Sequence, residues 1–139
     1  MTEVIRDSDG TVIEPSLHDS KLIRIDFGRQ QLSMYFQCVG EIFFRLVVRN
    51  IVLMLGAHLA EENIVLDVVV TEGLDVSDDA LSSILPAKTE AQLRHVTAIR
   101  RRLSDGSLRL LEISPSYGGE ITIICESVEY EEVTRPISI

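Results

Sequence analysis

Along much of this chain apolar side chains recur at every second position. From Leu22 to Phe27, Ile23, Ile25 and Phe27 alternate with Arg24 and Asp26, and from Leu32 to Cys38, Leu32, Met34, Phe36 and Cys38 alternate with Ser33, Tyr35 and Gln37. Period two is the repeat of a strand with one covered face, so the two runs predict a hairpin joined through Gly28 to Gln31. Ile42 to Val48 places Ile42, Phe44, Leu46 and Val48 on one face and Phe43, Arg45, Val47 and Arg49 on the other, a strand covered on one side and mixed on the other. Ile51 to Leu55 is apolar but short, and Gly56 to Asn63 reads as a turn or a single helical turn. Ile64 to Thr71 predicts a fourth strand, with Ile64, Leu66, Val68 and Val70 in one phase and many β-branched residues.

The pattern then changes period. Ser77 to Leu85 carries Asp78 and Asp79 at its start, where carboxylates favour the positive end of a helix, and Pro86 limits its extension. Thr89 followed by Gln92 has the spacing of a capping box. Leu93, Val96, Ile99 and Leu103 then fall on one stripe, which predicts a helix from about Glu90. A rival reading makes residues 96–103 the beginning of a strand, because Asp105-Gly106 is also a hairpin signal. Extended structure returns from Leu108 to Ile113 and from Ile121 to Tyr130, with a bulge near Ser127, and Ser116 to Gly119 supplies the turn between them.

Strands with short connections and helices confined to one interval define an α+β fold: a largely antiparallel sheet with one or two helices packed on one face. Ile23, Ile25, Phe27, Leu32, Met34, Phe36, Leu46, Leu66, Val68, Ile121 and Ile123 are the expected core. At 139 residues the chain reads as a single domain, 1–139, and its polar opening, residues 1–15, as a segment that can be loose.

Charge narrows the range of partners. The 22 acidic against 13 basic residues give a net −9, the wrong sign for gripping nucleic acid through its phosphates. An acidic surface instead favours encounter with a basic protein, although acidity also serves simple solubility. Residues 61–90 concentrate the carboxylates, and Glu61, Glu62, Asp75, Asp78 and Asp79 are the residues expected to contact a partner. Arg94, Arg100, Arg101, Arg102 and Arg109 follow, and pairing with the acidic segment inside the same fold is the simpler use for them. The apolar stretch Ile42 to Ala60 is broken by Arg45, Arg49, Asn50 and His58, so no membrane span is expected. Cys38 and Cys125 stand far apart with no secretory leader before them, which points to reduced thiols in the cytoplasm. A homo-oligomer is left open.

Candidate chemistry is sparse. His18, Asp19 and Ser20 are the residue types of a hydrolase triad, but triads are assembled in space, and the simpler reading has Asp19 or Ser20 capping a turn while His18 bonds backbone at the sheet edge. His58, Glu61 and Glu62 have metal-ligand spacing only on a helix, and the other histidines are distant. The Arg100–Arg102 run points three ways on a helix, and Pro115 to Gly119 lacks the strand-to-helix setting of a phosphate loop. No catalytic residue, metal or cofactor is therefore assigned.

Leu17, His18, Asp19 and Ser20 ahead of a first strand, followed by a meander ending in the strand Asn63, Ile64, Val65, Leu66, Asp67, Val68, resembles a loose set of small uncharacterised bacterial proteins over roughly the first half of the chain. The resemblance assigns no activity to any residue. Size and charge are also similar to those of immunity proteins that neutralise toxins. The expected function is a non-catalytic binding protein, an immunity-type inhibitor being its most concrete form; the alternative is a small enzyme or small-molecule-binding module.

Overall fold

A computed structural model describes residues 1–135, apart from the side chain of Leu74. The strands are β1 (Thr2–Glu3), β2 (Ile5–Arg6), β3 (Val12–Glu14), β4 (Lys21–Phe27), β5 (Gln31–Cys38), β6 (Ile42–Arg49), β7 (Leu53–Ala57), β8 (Ile64–Thr71), β9 (Arg109–Tyr117), β10 (Glu120–Cys125) and β11 (Ser127–Val133). Between β8 and β9 lie the helices α1 (Asp78–Ile84) and α2 (Glu90–Ser104). Among the described residues, nine strands form one antiparallel sheet in the order β1-β11-β6-β5-β4-β8-β9-β10-β7, and β2 pairs separately with β3. This is the α+β architecture that the alternation predicts.

Bent strands close that order on itself. β6 continues through Asn50–Val52 into β7, and β10 continues through Glu126 into β11, so two long bent strands lie side by side. Arg49 pairs with Ser127 and Leu53 with Ile124, while Glu126 N–H donates to Arg49 O at 3.1 Å and Val52 N–H to Ile124 O at 2.8 Å. The sheet thus curls into a closed ring, and the contact of β4 with β8 completes it. Inside pack Leu32, Met34, Phe36, Leu46, Val48, Val65, Val68, Leu111, Ile113, Ile121, Ile123, Cys125 and Val128. Outside, over β7, β9 and β10, the helices bury Leu81, Leu85, Ile99 and Leu103 against Leu108, Leu110 and Ile124. Residues 96–103 are helix, opened by the Thr89–Gln92 capping box, and Asp105-Gly106 ends that helix rather than turning a hairpin.

Three expected core residues lie elsewhere. Ile23 is the extra residue of a bulge, since Leu22 pairs with Phe36 and Arg24 with Tyr35; the phase shifts there and Leu22 becomes the buried one. Leu66 is passed over in the same way between Val65 and Asp67, so Val65 turns inward and Leu66 is 40% exposed. Phe27 keeps the inward phase but sits at the hairpin tip, 73% exposed. β6 is covered on both faces: Phe43 and Val47, in the outward phase, are as buried as Leu46 and Val48. Arg45 and Arg49 flank Val47, reaching Glu131 at 2.8 Å and Glu129 at 2.9 Å on β11.

The polar opening segment pairs along the sheet. β1 pairs with β11, Val4 and Val12 are buried, Val70 N–H donates to Gly10 O at 2.8 Å, and Arg6 Nη1 donates to Val70 O at 2.8 Å.

Candidate functional site

The acidic segment divides into two groups. Glu61 and Glu62 occupy the turn before β8, whereas Asp75, Asp78 and Asp79 follow its far end, Asp78 and Asp79 in the first turn of α1. Eight residues of strand lie between the two groups along the chain, a length of about 25 Å at roughly 3.3 Å per residue, against a Debye length of about 8 Å at physiological ionic strength. A partner therefore meets two local fields.

The first field borders an open cleft of about 570 Å³ lined by Lys21, Leu22, Ile23, Ala60, Glu61, Glu62, Asn63 and Tyr117. Lys21 Nζ lies 3.0 Å from Glu62, both well exposed. Asn63 fixes the turn: its Oδ1 accepts from Ala60 N–H at 3.0 Å and Gly119 N–H at 2.9 Å, and its Nδ2 donates to Ala60 O at 2.8 Å. Gly118, at φ +90°, approaches so closely that a Cβ would stand 2.5 Å from Asn63 Oδ1. Pro115 to Gly119 is thus the end of β9 and its turn. His58, at φ 59°, does not belong to a helix, so its imidazole and the Glu61 and Glu62 carboxylates lose the helical spacing that metal ligation needed. Among the described residues no three His, Cys, Asp or Glu side chains gather as metal ligands.

The second field is enlarged by the opening segment. Glu3, Arg6, Asp7, Glu72 and Asp75 line a hollow of about 500 Å³. Arg6 lies 3.5 Å from Glu72, and Arg109 spans Glu72 at 3.3 Å and Glu3 at 3.6 Å while donating to Glu126 O. Arg109 Nε faces Glu72 closely enough for an ion pair but out of line for a hydrogen bond. Glu3 and Asp7 had no sequence signal, because pairing of residues 1–14 with β8 and β11 is what carries them here.

The arginine run separates as the helical angle requires. Arg100 turns to α1, donating to Val76 O at 2.8 Å and pairing with Asp78; Arg102 reaches Glu126 at 3.0 Å; Arg101 is exposed. Arg94 faces Glu90 at 4.0 Å.

The Leu17–Ser20 segment is the latch of the ring. β4 and β8 share only the ladder pair Lys21–Ile64, and the bulges at Ile23 and Leu66 lie just beyond it. Asp19 N–H donates to Val65 O at 2.8 Å, Val65 N–H to Ser20 O at 2.9 Å and Leu22 N–H to Asn63 O at 2.9 Å. Ser20 Oγ is spent on Leu17 O at 2.6 Å, and His18 Nδ1 sits 2.7 Å from Leu66 O with Nε2 3.4 Å from Asp19. This is the backbone-bonding role expected for His18. The Leu66 carbonyl, with help from the Asp19 carboxylate, raises the His18 pKa. Burial pushes the Cys125 thiol up to about 12 and raises Cys38 as well, so neither is a ready nucleophile.

No helix among the described residues is long and apolar enough to cross a membrane. Compared with models of known families, with curated proteins and with solved structures, the chain matches none.

Proposed function

We propose that this chain is a single-domain, non-catalytic binding protein of the bacterial cytoplasm that engages a basic protein partner, in its most concrete form as an immunity-type inhibitor of a toxin. One observation carries the reading. Nine of the thirteen bases, Arg6, Lys21, Arg24, Arg45, Arg49, Arg94, Arg100, Arg102 and Arg109, each lie within 4.0 Å of a carboxylate of the same chain. The positive charge is largely consumed internally, and the surplus carboxylates face solvent. Among the described residues no base lies within 4.0 Å of Glu61, Asp75 or Asp79, all exposed. Such a field steers a basic partner and sets the on-rate more than the affinity.

The test identifies the partner by cross-linking in the native host, purifies it, and measures association with the wild type and with a variant in which Glu61, Glu62, Asp75, Asp78 and Asp79 become Gln or Asn. Association is expected to slow about tenfold or more and to lose its salt dependence. An unchanged on-rate that is flat from low to high salt overturns the reading.

A further inference from the structure

Between α1 and α2 lies a groove of about 290 Å³ walled by Leu81, Leu85, Ala87 and Val96, with Ser82 and Thr97 on its rim and Asp78 and Arg100 at one end. It is the most apolar hollow described above, and a cation stands at its mouth. The Arg100 side chain is about 29% exposed and anchored through Nη1 to Val76 O, so the guanidinium is held in place. Its Nη2 contacts Asp78, whose side chain is about 98% exposed and makes no other described contact. The carboxylate on that arginine is a surface group that water surrounds and that another carboxylate can replace. Because an exposed ion pair is worth little, replacement is inexpensive.

From this juxtaposition we propose that the groove between α1 and α2 binds a small amphiphilic monocarboxylate, with its hydrocarbon or aromatic body against Leu81, Leu85 and Val96 and its carboxylate on Arg100 in place of Asp78. The volume is close to the lower bound of small-ligand pockets, which suits a small ligand such as a medium-chain carboxylate. A protein helix is the poorer occupant. The seven residues of α1 give a wall of only about 10 Å, less than two helical turns. A cationic ligand would meet Arg100, and a dianion would meet Asp78 and Asp79 at the same helix end. The inference concerns a different class of ligand from the protein partner proposed above and shares only Asp78 with that surface, so its titration needs no protein partner and its outcome leaves the association test untouched.

The experiment titrates n-octanoate, with n-octanol as the uncharged probe of equal chain length, into the isotopically labelled full chain and follows the amide and methyl signals of Leu81, Leu85 and Val96. Saturable shifts at these residues with octanoate, and binding of octanol several-fold weaker, are expected. Asp78→Asn removes the competing carboxylate and is expected to tighten octanoate about twofold to fivefold, the range open to an exposed pair, while leaving octanol unchanged. Val96→Phe fills the groove and is expected to abolish both, with the strand signals unmoved. Equal binding of octanol and octanoate, an unaltered octanoate affinity in Asp78→Asn, or shifts confined to residues outside the groove each overturn the proposal. Arg100→Gln adds a check in the same sense, because octanoate affinity should then fall to that of octanol, and retention of the difference contradicts the assignment.

Discussion

His18 holds the carbonyl oxygen of Leu66 at 2.7 Å across the seam where β4 meets β8, and Leu66 is itself the bulged residue of its strand. A strand residue pushed out of its ladder turns its carbonyl toward new partners, and the imidazole supplies one. The ring is most useful when charged, since Nδ1 then donates to Leu66 O while the positive charge faces the Asp19 carboxylate.

That arrangement gives a pH dependence of definite sign. The folded-state pKa of His18 is raised, so its contribution to stability is complete below the unfolded-state value and is lost as pH rises through the folded-state value. An NMR titration should place the His18 pKa above that of an unstructured histidine. Amide exchange at Asp19 and Val65, corrected for its intrinsic rate, should quicken above that pKa in the wild type, and His18→Gln should remove the step. A His18 that titrates at or below the ordinary value contradicts the hydrogen bonding described.

Burial separates two phenylalanines that alternation treats alike. Phe36, fully buried, should lose about 3–5 kcal/mol on Phe36→Ala by chemical denaturation, whereas Phe27→Ala, at a hairpin tip, should stay within about 1 kcal/mol.

The bulge in β8 makes a similar contrast between neighbours. Val65→Asn places an unpaired amide in the core and should destabilise by about 2 kcal/mol or more, while Leu66→Asn should change stability by less than about 1 kcal/mol. Reversed magnitudes would put the strand in the unbulged register.

These contrasts mark what was legible. Periodicity located β4, β5, β6, β8 and both helices because each has a face that meets apolar neighbours over several residues, and the Thr89–Gln92 box located the start of α2 because capping is chemistry local to four residues. The bulges were not legible: skipping Ile23 or Leu66 costs nothing in the local pattern, and only pairing with β5 or β9 shows which residue is passed over. Ring closure was hidden for the same reason. Ile51 to Leu55 read as apolar but short, and Gly56 and Ala57 as part of a turn, because the partner that makes Leu53–Ala57 a strand, β10, lies more than sixty residues further on. Of the candidate site, the carboxylates were visible as charges, but their division into two groups and the arrival of Glu3 and Asp7 depend on tertiary contacts.

Gly118 offers a sharper test of the Asn63 turn. Gly118→Ala forces a Cβ against Asn63 and strains a φ of +90°, so a loss of more than about 1 kcal/mol is expected, and Asn63→Ala should cost a similar amount by freeing three backbone groups. If both variants melt like the wild type, the turn is not held by this side chain.

Thiol chemistry reports on the ring itself. With Cys125 fully buried and its pKa near about 12, native protein should react with an alkylating reagent at Cys38 first, and at Cys125 only at the rate of unfolding. Modification of Cys125 as fast as Cys38 would mean that the ring opens locally.

The pairing of β6 with β11 sets an order of assembly. β5 can dock on one edge of β6 as soon as both have been made, but the other edge has no partner until a strand about eighty residues later exists. At a synthesis rate of roughly 5–20 residues per second, that edge stands open for on the order of 4–16 s in a nascent chain. For that interval Phe43 and Val47 lie on an incomplete sheet. The hairpin of β5 and β6 is consequently the segment where cotranslational misassembly between neighbouring chains would begin, and the arginines beside Val47 give it charges that discourage edge-to-edge contact until β11 brings their glutamates.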